Sequence, residues 1–325
     1  MCVFYGLSLL SGFLEVGPLV YVYQQTGEPA LALLAVLCYQ IGNMAPGLSG
    51  KATVIASMLA VVGLVLALIP EVPGQYVILS LAVLCASAAI QSLRSVMKAD
   101  APAMVKRSMR IIGFASGFFW HPLSGLIGLV IIFGVALRHK DILPAKTAFF
   151  APAPLTKLHW AMFFHQLHYF VYCYAVLLFA CAKGGVWLAL ALFVISWLTY
   201  TFSPRLPFYR GNNYLTIFLA GHSFLLAVLL GLFFSENDII RLILWALTGV
   251  GATTVFCFGK ISQDDRNLPF AENAGHVIGV LLCLIVFLVS KNLVDTVSVA
   301  AVFVLVALFL MAGGRREKCS LNRLP

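Results

Sequence analysis

The feature that most constrains this chain is a succession of long apolar runs, separated by only a few polar or turn-forming residues. A helix needs about 20 consecutive apolar residues to cross the hydrocarbon core of a bilayer, and twelve runs approach or reach that length. With 62% hydrophobic and only 10% charged residues, the chain has too little polar surface for a soluble protein. The sequence therefore predicts an all-α, polytopic membrane protein.

The runs predict twelve transmembrane helices. They lie at 3–23, 30–45, 52–70, 76–97, 104–120, 122–138, 158–181, 185–203, 213–234, 239–258, 270–290 and 295–312. The fifth and sixth spans are separated by a turn at 120–125, because one long helix there would place one of the two flanking basic clusters on the opposite side of the membrane.

Basic residues set the predicted orientation. Loops that stay in the cytoplasm are enriched in Lys and Arg. With both termini in the cytoplasm, the 21 Lys and Arg residues, Arg110 among them, all fall on that side except Lys183, Arg241 and Lys291. This distribution accounts for the net charge of +9 without nucleic acid as a partner. We expect an integral protein of a bacterial inner membrane with both termini cytoplasmic.

The predicted helices divide into two sets of six. Residues 139–157 contain three prolines and several basic residues, which predicts a cytoplasmic linker between an N-terminal six-helix bundle (1–138) and a C-terminal one (158–325). A six-plus-six arrangement suggests internal duplication. A faint echo accompanies it: Arg110-Ile-Ile-Gly113 opens the fifth span and His276-Val-Ile-Gly279 opens the eleventh.

Polar residues recur at helical spacing on four predicted spans. A polar side chain in hydrocarbon is costly, so it usually faces other helices or a water-filled cavity. The stripes lie on spans 1, 4, 7 and 10 and comprise Ser8, Ser11, Gly12 and Glu15; Ser80, Ser87, Gln91 and Arg94; His165, His168, Tyr169 and Tyr172; and Arg241, Trp245 and Thr248. Spans 6 and 12 are almost entirely apolar, which predicts helices that face lipid.

This arrangement resembles the major facilitator superfamily. The resemblance rests on the six-plus-six division by a basic linker, the polar stripes on spans 1, 4, 7 and 10, and the apolar spans 6 and 12. It implies a secondary transporter in which those four helices line a central cavity and two halves rock to alternate access. The loop at 42–51 departs from the family signature because it keeps glycines and Lys51 but has no Asp or Arg. Arg94 is the nearest match to the membrane-embedded arginine of proton-coupled members.

Glu15 is the predicted proton-coupling residue. A carboxylate near the middle of span 1 could bind and release a proton as a cavity alternates between two aqueous phases. The structural alternative is a carboxyl group hydrogen-bonded to a neighbouring helix. Glu272 and His276 lie four residues apart at the start of span 11, so they share a helix face and could pair. Glu272 is a second proton-coupling candidate, with a gating or interface role as its alternative.

Eight residues are predicted to contact substrate: Gln91, Arg94, His165, His168, Tyr169, Tyr172, Trp245 and His276. His165 and His168 could share a metal ion through imidazole nitrogens, but two histidines make an incomplete site. Glu15, His222 or another helix would have to supply further ligands. The alternative is that the stripe on span 7 only lines a wet cavity. His222 by itself is more typical of a packing histidine.

Together these patterns predict a secondary active transporter rather than an enzyme. Its expected substrate is a small polar or anionic solute, for which a metallophore or metal chelate is one candidate, and its expected coupling ion is the proton. No nucleotide-binding signature is present, so no cofactor is expected, and the partners are the solute and the bilayer around a monomer. The alternative is a polytopic membrane enzyme acting on a lipid or a buried peptide bond, with Ser49 of Gly47-Leu-Ser-Gly50 as nucleophile.

Overall fold

The computed structural model describes residues 2–45, 47–70, 72–97, 103–141, 155–206, 213–255, 257–258 and 268–321. Regular structure in these ranges is helical throughout, which confirms the all-α prediction. The helices are α1 (Cys2–Thr26), α2 (Pro29–Met44), α3 (Gly50–Ala67), α4 (Gln75–Val96), α5 (Ala103–Gly117), α6 (Pro122–Arg138), α7 (Lys157–Phe202), α8 (Tyr214–Phe234), α9 (Asp238–Ala252), α10 (Leu268–Ser290) and α11 (Asp295–Leu321). Short 3-10 turns follow α7 and α9.

The described residues thus form eleven α helices where twelve spans are predicted, and the difference lies in α7. This helix has 46 residues and covers the predicted seventh and eighth spans. Its backbone leaves the helical region at Gly184 and Gly185, which divides it into segments 157–183 and 186–202. Gly185 has a φ of 71°, a conformation that glycine adopts readily and other residues rarely do. The count of twelve crossings stays a prediction.

Length and composition allow seven of the helices to cross a membrane, and Pro29–Met44 and Pro122–Arg138 are shorter apolar helices. Large apolar side chains are exposed on the two helices predicted to face lipid: Leu123, Ile127, Val130 and Ile131 on α6, and Val302, Leu305 and Phe309 on α11. Apolar surface of this extent is unfavourable in water, whereas hydrocarbon solvates it.

The chain forms two compact units, Met1–Phe149 (unit 1) and Phe150–Pro325 (unit 2). In unit 1, α1 packs against α5, and α4 packs against α2 and α3. In unit 2, α7 packs against α9, α10 and α11, and α8 packs against α9 and α11. The division falls within the predicted linker 139–157. Residues 142–154 of that linker lie outside the described residues, so the predicted domain bounds stay a prediction.

The predicted turn between spans 5 and 6 is present between α5 and α6. His121 caps α6: its Nδ1 accepts from the Leu123 N–H at 3.3 Å, and its own backbone N–H donates to Ser124 Oγ at 3.1 Å. Pro122 occupies the first helical position, where its missing N–H has no helical partner to lose. The short turn therefore has its own capping residues.

In unit 1, two glycines bring α5 into close contact with α1. Gly113 and Gly117 lie one helical turn apart. A Cβ atom at Gly113 would collide with the Leu9 carbonyl oxygen, and one at Gly117 would press on the Phe13 carbonyl oxygen. Small residues at this spacing let membrane helices approach closely.

The same device recurs in unit 2 between α10 and α7. Gly275 and Gly279 are again four residues apart, and Cβ atoms there would press on the carbonyl oxygens of Phe163 and Leu167. The first helix of each unit, α1 or α7, therefore takes part in a close crossing that a pair of glycines permits.

Candidate functional site

Unit 1 holds a buried carboxylate that two other helices contact. Glu15 lies in α1 and is 3% exposed. Arg110 of α5 donates from Nη2 to Glu15 Oε2 at 2.7 Å, and Gln40 of α2 donates from Nε2 to Oε1 at 3.1 Å. Both carboxylate oxygens are thus held by side chains from separate helices. Charge-assisted hydrogen bonds of this kind are stronger than neutral ones.

The environment of this ion pair is polar and carries a second arginine. Tyr39 is fully buried, and its hydroxyl lies 2.6 Å from the hydroxyl of Ser11. The Arg94 guanidinium lies over the Phe4 ring at 5.9 Å and within electrostatic range of Arg110 and Glu15. Glu15, Arg94 and Arg110 together carry one more positive charge than negative, which suits an anion.

Unit 2 holds a cluster of three buried histidines. His165 and His168 lie on α7 and His222 lies on α8, and none is more than 3% exposed. His165 Nδ1 lies 2.8 Å from His222 Nε2. One ring nitrogen from each residue falls within 4.8 Å of the others. Within the part of the chain that the structure describes, this is the one group of three side chains so arranged.

Hydrogen bonds fix the tautomer of His222. Its Nδ1 lies 3.0 Å from the Phe218 carbonyl oxygen, and a carbonyl can only accept, so Nδ1 carries the proton. Thr254 Oγ1 lies 3.1 Å from the same nitrogen. In the neutral ring Nε2 therefore has a free lone pair, and it accepts the hydrogen bond from His165 Nδ1.

The sequence matches no protein-family model and no curated protein sequence. Among the 68 solved chains that match, the following three examples do so over almost their full length. A bacterial homologue of the iron transporter ferroportin, outward-facing with soaked iron, has a TM-score of 0.61 and 13% identity, covering 95% of this chain and 97% of its own. A bacterial metal transporter has a TM-score of 0.60 and 15% identity, covering 95% and 96%. The E. coli fucose:proton symporter has a TM-score of 0.50 and 13% identity, covering 96% and 98%.

The chain has the major facilitator fold. The resemblance predicted from the polar stripes and the six-plus-six division is thereby confirmed as structural, and the chain is a multi-pass integral membrane protein. The three structures quoted are of transporters and not of enzymes, in agreement with the prediction that the chain is not an enzyme.

Within the major facilitator fold, the predicted site residues of unit 2 lie on α7 and on two helices that pack against it, α9 and α10. Tyr172 is fully buried, and the ring of Tyr169 meets it edge-on at 5.8 Å. Trp245 on α9 is buried, and its carbonyl accepts from the Thr248 hydroxyl at 2.6 Å. These residues lie on the polar stripes that the sequence predicts, and their contact with substrate stays a prediction.

His276 is held by α7 through a hydrogen bond to a side-chain amide. Its Nε2 lies 3.2 Å from Gln166 Oε1, and its ring lies against Phe170 with 4.1 Å between centroids. Gln166 is a partner that the sequence did not predict. Glu272 is half-buried near the start of α10, and its pairing with His276 stays a prediction, as do the roles of both.

Arg110 is the main residue that sequence reasoning missed. Charge counting assigns it to the cytoplasmic cations, whereas the structure pairs it with Glu15. The spacing of Gly113 and Gly117 is the signal that could have revealed it, because it predicts close packing of α5 and Arg110 lies on the preceding turn. The structural alternative for Glu15, a carboxyl group bonded to neighbouring helices, is present, and its coupling role stays a prediction.

Two other predicted residues lie elsewhere in unit 1. Gln91 is half-buried on α4, and its contact with substrate stays a prediction. Ser49 accepts at Oγ from the Ala52 N–H at 3.3 Å and so caps α3. This local role accounts for the serine of Gly47-Leu-Ser-Gly50 without nucleophilic chemistry.

Proposed function

We propose that this chain is a secondary active transporter that moves a small polar or anionic solute across a membrane by alternating access coupled to protons. The observation that supports it most is a buried carboxylate, Glu15, paired with Arg110 in a fold shared with transporters. An ionisable pair inside a membrane bundle is costly unless it has a function or a partner. Here each charge has a partner, and protonation of Glu15 would remove the negative charge that neutralises Arg110.

Protonation of Glu15 links proton binding to anion binding. While the carboxylate is ionised, it neutralises the Arg110 guanidinium at 2.7 Å. Once it takes up a proton, Arg110 and the nearby Arg94 are left with uncompensated positive charge, and an anion relieves that charge. By linkage, a bound anion then favours the protonated carboxyl group by the same free energy. Proton and anion therefore bind together, which is the thermodynamic basis of the proposed co-transport.

The chemistry of the solute follows from these charges. Two guanidinium groups favour carboxylate or phosphate oxygens. We propose a multiply charged small anion, of which a carboxylate-bearing metallophore or its metal chelate is the preferred case. The contacts to solute are assigned to Gln91, Arg94, His165, His168, Tyr169, Tyr172, Trp245 and His276, and Glu272 is assigned as a second proton-coupling residue.

The proposed topology follows the sequence prediction. Each segment of α7 counts as one crossing, which gives twelve. Two six-helix bundles, 1–138 and 158–325, are joined by the cytoplasmic linker 139–157. Both termini are cytoplasmic, the membrane is a bacterial inner membrane, and the transporter acts as a monomer.

The test is uptake by proteoliposomes that contain the full chain. The probes are radiolabelled citrate and ferric citrate labelled on the iron, offered with a proton gradient and with the gradient collapsed by an ionophore. We expect wild-type accumulation of at least one probe only under the gradient. Glu15→Gln should abolish gradient-driven accumulation, because the amide keeps the shape of the side chain and cannot take up a proton.

Glu28→Gln is the matched control, because Glu28 is an exposed carboxylate in the same unit. It should transport as the wild type does. Gradient-driven accumulation by Glu15→Gln at the wild-type rate would contradict the coupling role. Failure of the wild type to accumulate either probe would contradict the assigned solute class.

A further inference from the structure

We propose that His165, His168 and His222 form a binding site for a divalent transition-metal ion of the zinc type, held between α7 and α8 within unit 2. The site shares His165 and His168 with the proposed solute contacts, but the argument for it does not use the transport function. Its ligands all belong to unit 2, and its occupancy can be measured without any transport.

The three imidazole rings are already arranged as ligands of one ion. Zinc–nitrogen bonds of about 2.0–2.1 Å at tetrahedral angles place the centroids of two ligating imidazoles about 5.2 Å apart. The observed centroid distances are 5.1 Å for His165 and His168, 4.9 Å for His165 and His222, and 5.6 Å for His168 and His222. The ring centroids are therefore spaced as in a shared site, and the ring nitrogens, which lie within 4.8 Å of one another, would close to about 3.4 Å on binding an ion.

The hydrogen bond between His165 and His222 occupies the position that the ion would take. Their nitrogens are 2.8 Å apart, whereas two ligands of a tetrahedral ion are about 3.4 Å apart. An ion would replace the shared proton and separate the nitrogens by about half an ångström. His165 would then carry its proton on Nε2 and offer Nδ1 to the metal.

The outer contacts of His222 are those of a metal ligand. Metal-binding histidines usually donate the N–H of their other nitrogen to a carbonyl or carboxylate, which fixes the tautomer and the ring plane. His222 does so through Nδ1 to the Phe218 carbonyl oxygen. The Phe218 ring also stacks on the imidazole, with 3.8 Å between centroids. His222 is thus held with its Nε2 lone pair directed into the cluster.

His168 provides a second, independent indication. The residue is fully buried, and neither of its ring nitrogens has a hydrogen-bond partner among the described residues. Buried imidazole nitrogens are normally satisfied. A metal ion bound by His165 and His222 would supply a partner for one of the two ring nitrogens of His168, and this would explain why a polar side chain is buried at this position.

The ligand set selects the class of ion. Imidazole nitrogens suit zinc, copper, iron and nickel, whereas calcium and magnesium take oxygen ligands. Three neutral ligands leave the full charge of the ion uncompensated, so a fourth, anionic ligand such as hydroxide or chloride completes the site. Phe218 and Phe258 supply an apolar shell around it.

The ion would link α7 directly to α8. In the structure these two helices are held together mainly by α9 and α11, which pack against both of them. α7 supplies two ligands and α8 supplies one. An ion that binds only the folded unit stabilises it in proportion to the logarithm of its concentration over Kd. Metal binding should therefore raise the unfolding temperature of the chain.

The experiment uses the full chain without a polyhistidine tag, in phosphatidylcholine nanodiscs stripped with a chelator. Zinc chloride is titrated while bound zinc per chain and the thermal midpoint are followed. Cobalt(II) then serves as the spectroscopic probe, and X-ray absorption at the zinc edge reports the ligands. We expect one ion per chain, a raised midpoint, tetrahedral cobalt bands and imidazole nitrogen ligands. Magnesium and calcium at the same concentration should leave the midpoint unchanged.

His168→Gln should weaken zinc binding by more than about tenfold, and this side chain has no hydrogen bond to lose. His121→Asn is the matched control, because it removes an exposed histidine and supplies another good helix cap; it should bind as the wild type does. A wild-type chain that retains no zinc, or binds it through oxygen ligands only, overturns the proposal whether or not the variants fold. Wild-type affinity in a folded His168→Gln chain overturns it equally.

Discussion

The close crossings of the two units share one backbone design but carry different side-chain chemistry. Gly113 and Gly117 of α5 meet α1 as Gly275 and Gly279 of α10 meet α7. The residue three positions before the first glycine of each pair differs: it is Arg110 before Gly113 in unit 1 and Glu272 before Gly275 in unit 2. In unit 1 the crossing is bridged by the Arg110–Glu15 ion pair.

The described bridge across the second crossing ends on an uncharged amide. His276 of α10 bonds to Gln166 of α7 at 3.2 Å. Phe13 of α1 and Leu167 of α7 occupy equivalent places at the two crossings. Two residues further along the chain, Glu15 in unit 1 corresponds to Tyr169 in unit 2. The backbone approach is therefore the constant feature of the two crossings, and the polar groups around it differ. The ion pair of the first crossing can respond to protonation and to anions, whereas a bridge of amide and imidazole is suited to a metal ion or an uncharged polar group.

The largest expected effect comes from filling the shared backbone contact. Gly113→Leu and Gly279→Leu each place a side chain against a carbonyl oxygen of the facing helix. Each should lower the free energy of unfolding by about 3 kcal/mol or more. The measurement is unfolding in mixed micelles of rising detergent strength. Gly134→Leu in α6, where a Cβ meets open space, should leave stability almost unchanged. A loss of stability in only one of the two variants, Gly113→Leu or Gly279→Leu, would show that the two crossings are not equivalent.

Removing the polar bridges should lower stability by different amounts in the two units. Arg110→Gln leaves the buried Glu15 carboxylate without its charged partner, which should lower stability by about 2–3 kcal/mol, toward the small end because Arg110 is 33% exposed. Gln166→Leu removes a hydrogen bond made by an uncharged amide and should lower stability by about 1 kcal/mol. The double variant Glu15→Gln, Arg110→Gln should recover part of the loss. Equal effects of the two single variants would contradict the contrast between the ion pair and the amide bridge.

An exposed ion pair should give the smallest effect. Asp238 lies just before the predicted tenth span, and Lys183 Nζ approaches its Oδ2 at 2.7 Å. The hydrogen bond from Lys183, aided by its charge and that of Arg241, holds the pKa of Asp238 below its ordinary value. The stabilisation is thus present above the ordinary pKa and is lost as pH falls through the lowered one. Asp238→Asn should leave the midpoint at neutral pH unchanged within error; a clear drop would show that exposed charges also hold unit 2.

Much of the helix layout could be predicted because its signals are local. The predicted span 122–138 coincides with α6, where Pro122 and His121 mark the start. The predicted span 213–234 begins one residue before α8, at the Asn213 cap. The predicted gap at 182–184 falls beside the break of α7 at Gly184 and Gly185.

The partners of the site residues could not be predicted, because periodicity identifies a helix face and not the helix that meets it. Glu15 and Arg110 are 95 residues apart, and His165 and His222 are 57 apart. The echo read from the sequence aligned Gly113 with Gly279. The backbone contacts instead match Gly113 with Gly275, a shift of one helical turn that local similarity alone does not resolve.

The turn between α5 and α6 also gives unit 1 an optical probe. Of the five tryptophans, Trp120 alone lies in unit 1. Its buried indole fits against Gly17 of α1 and Gly125 of α6, where any Cβ would collide with the ring, and Tyr21 meets it edge-on at 4.8 Å. With the other four tryptophans replaced by phenylalanine, the fluorescence of the chain would come from this one position. A red shift would then signal that α1 and α6 have separated.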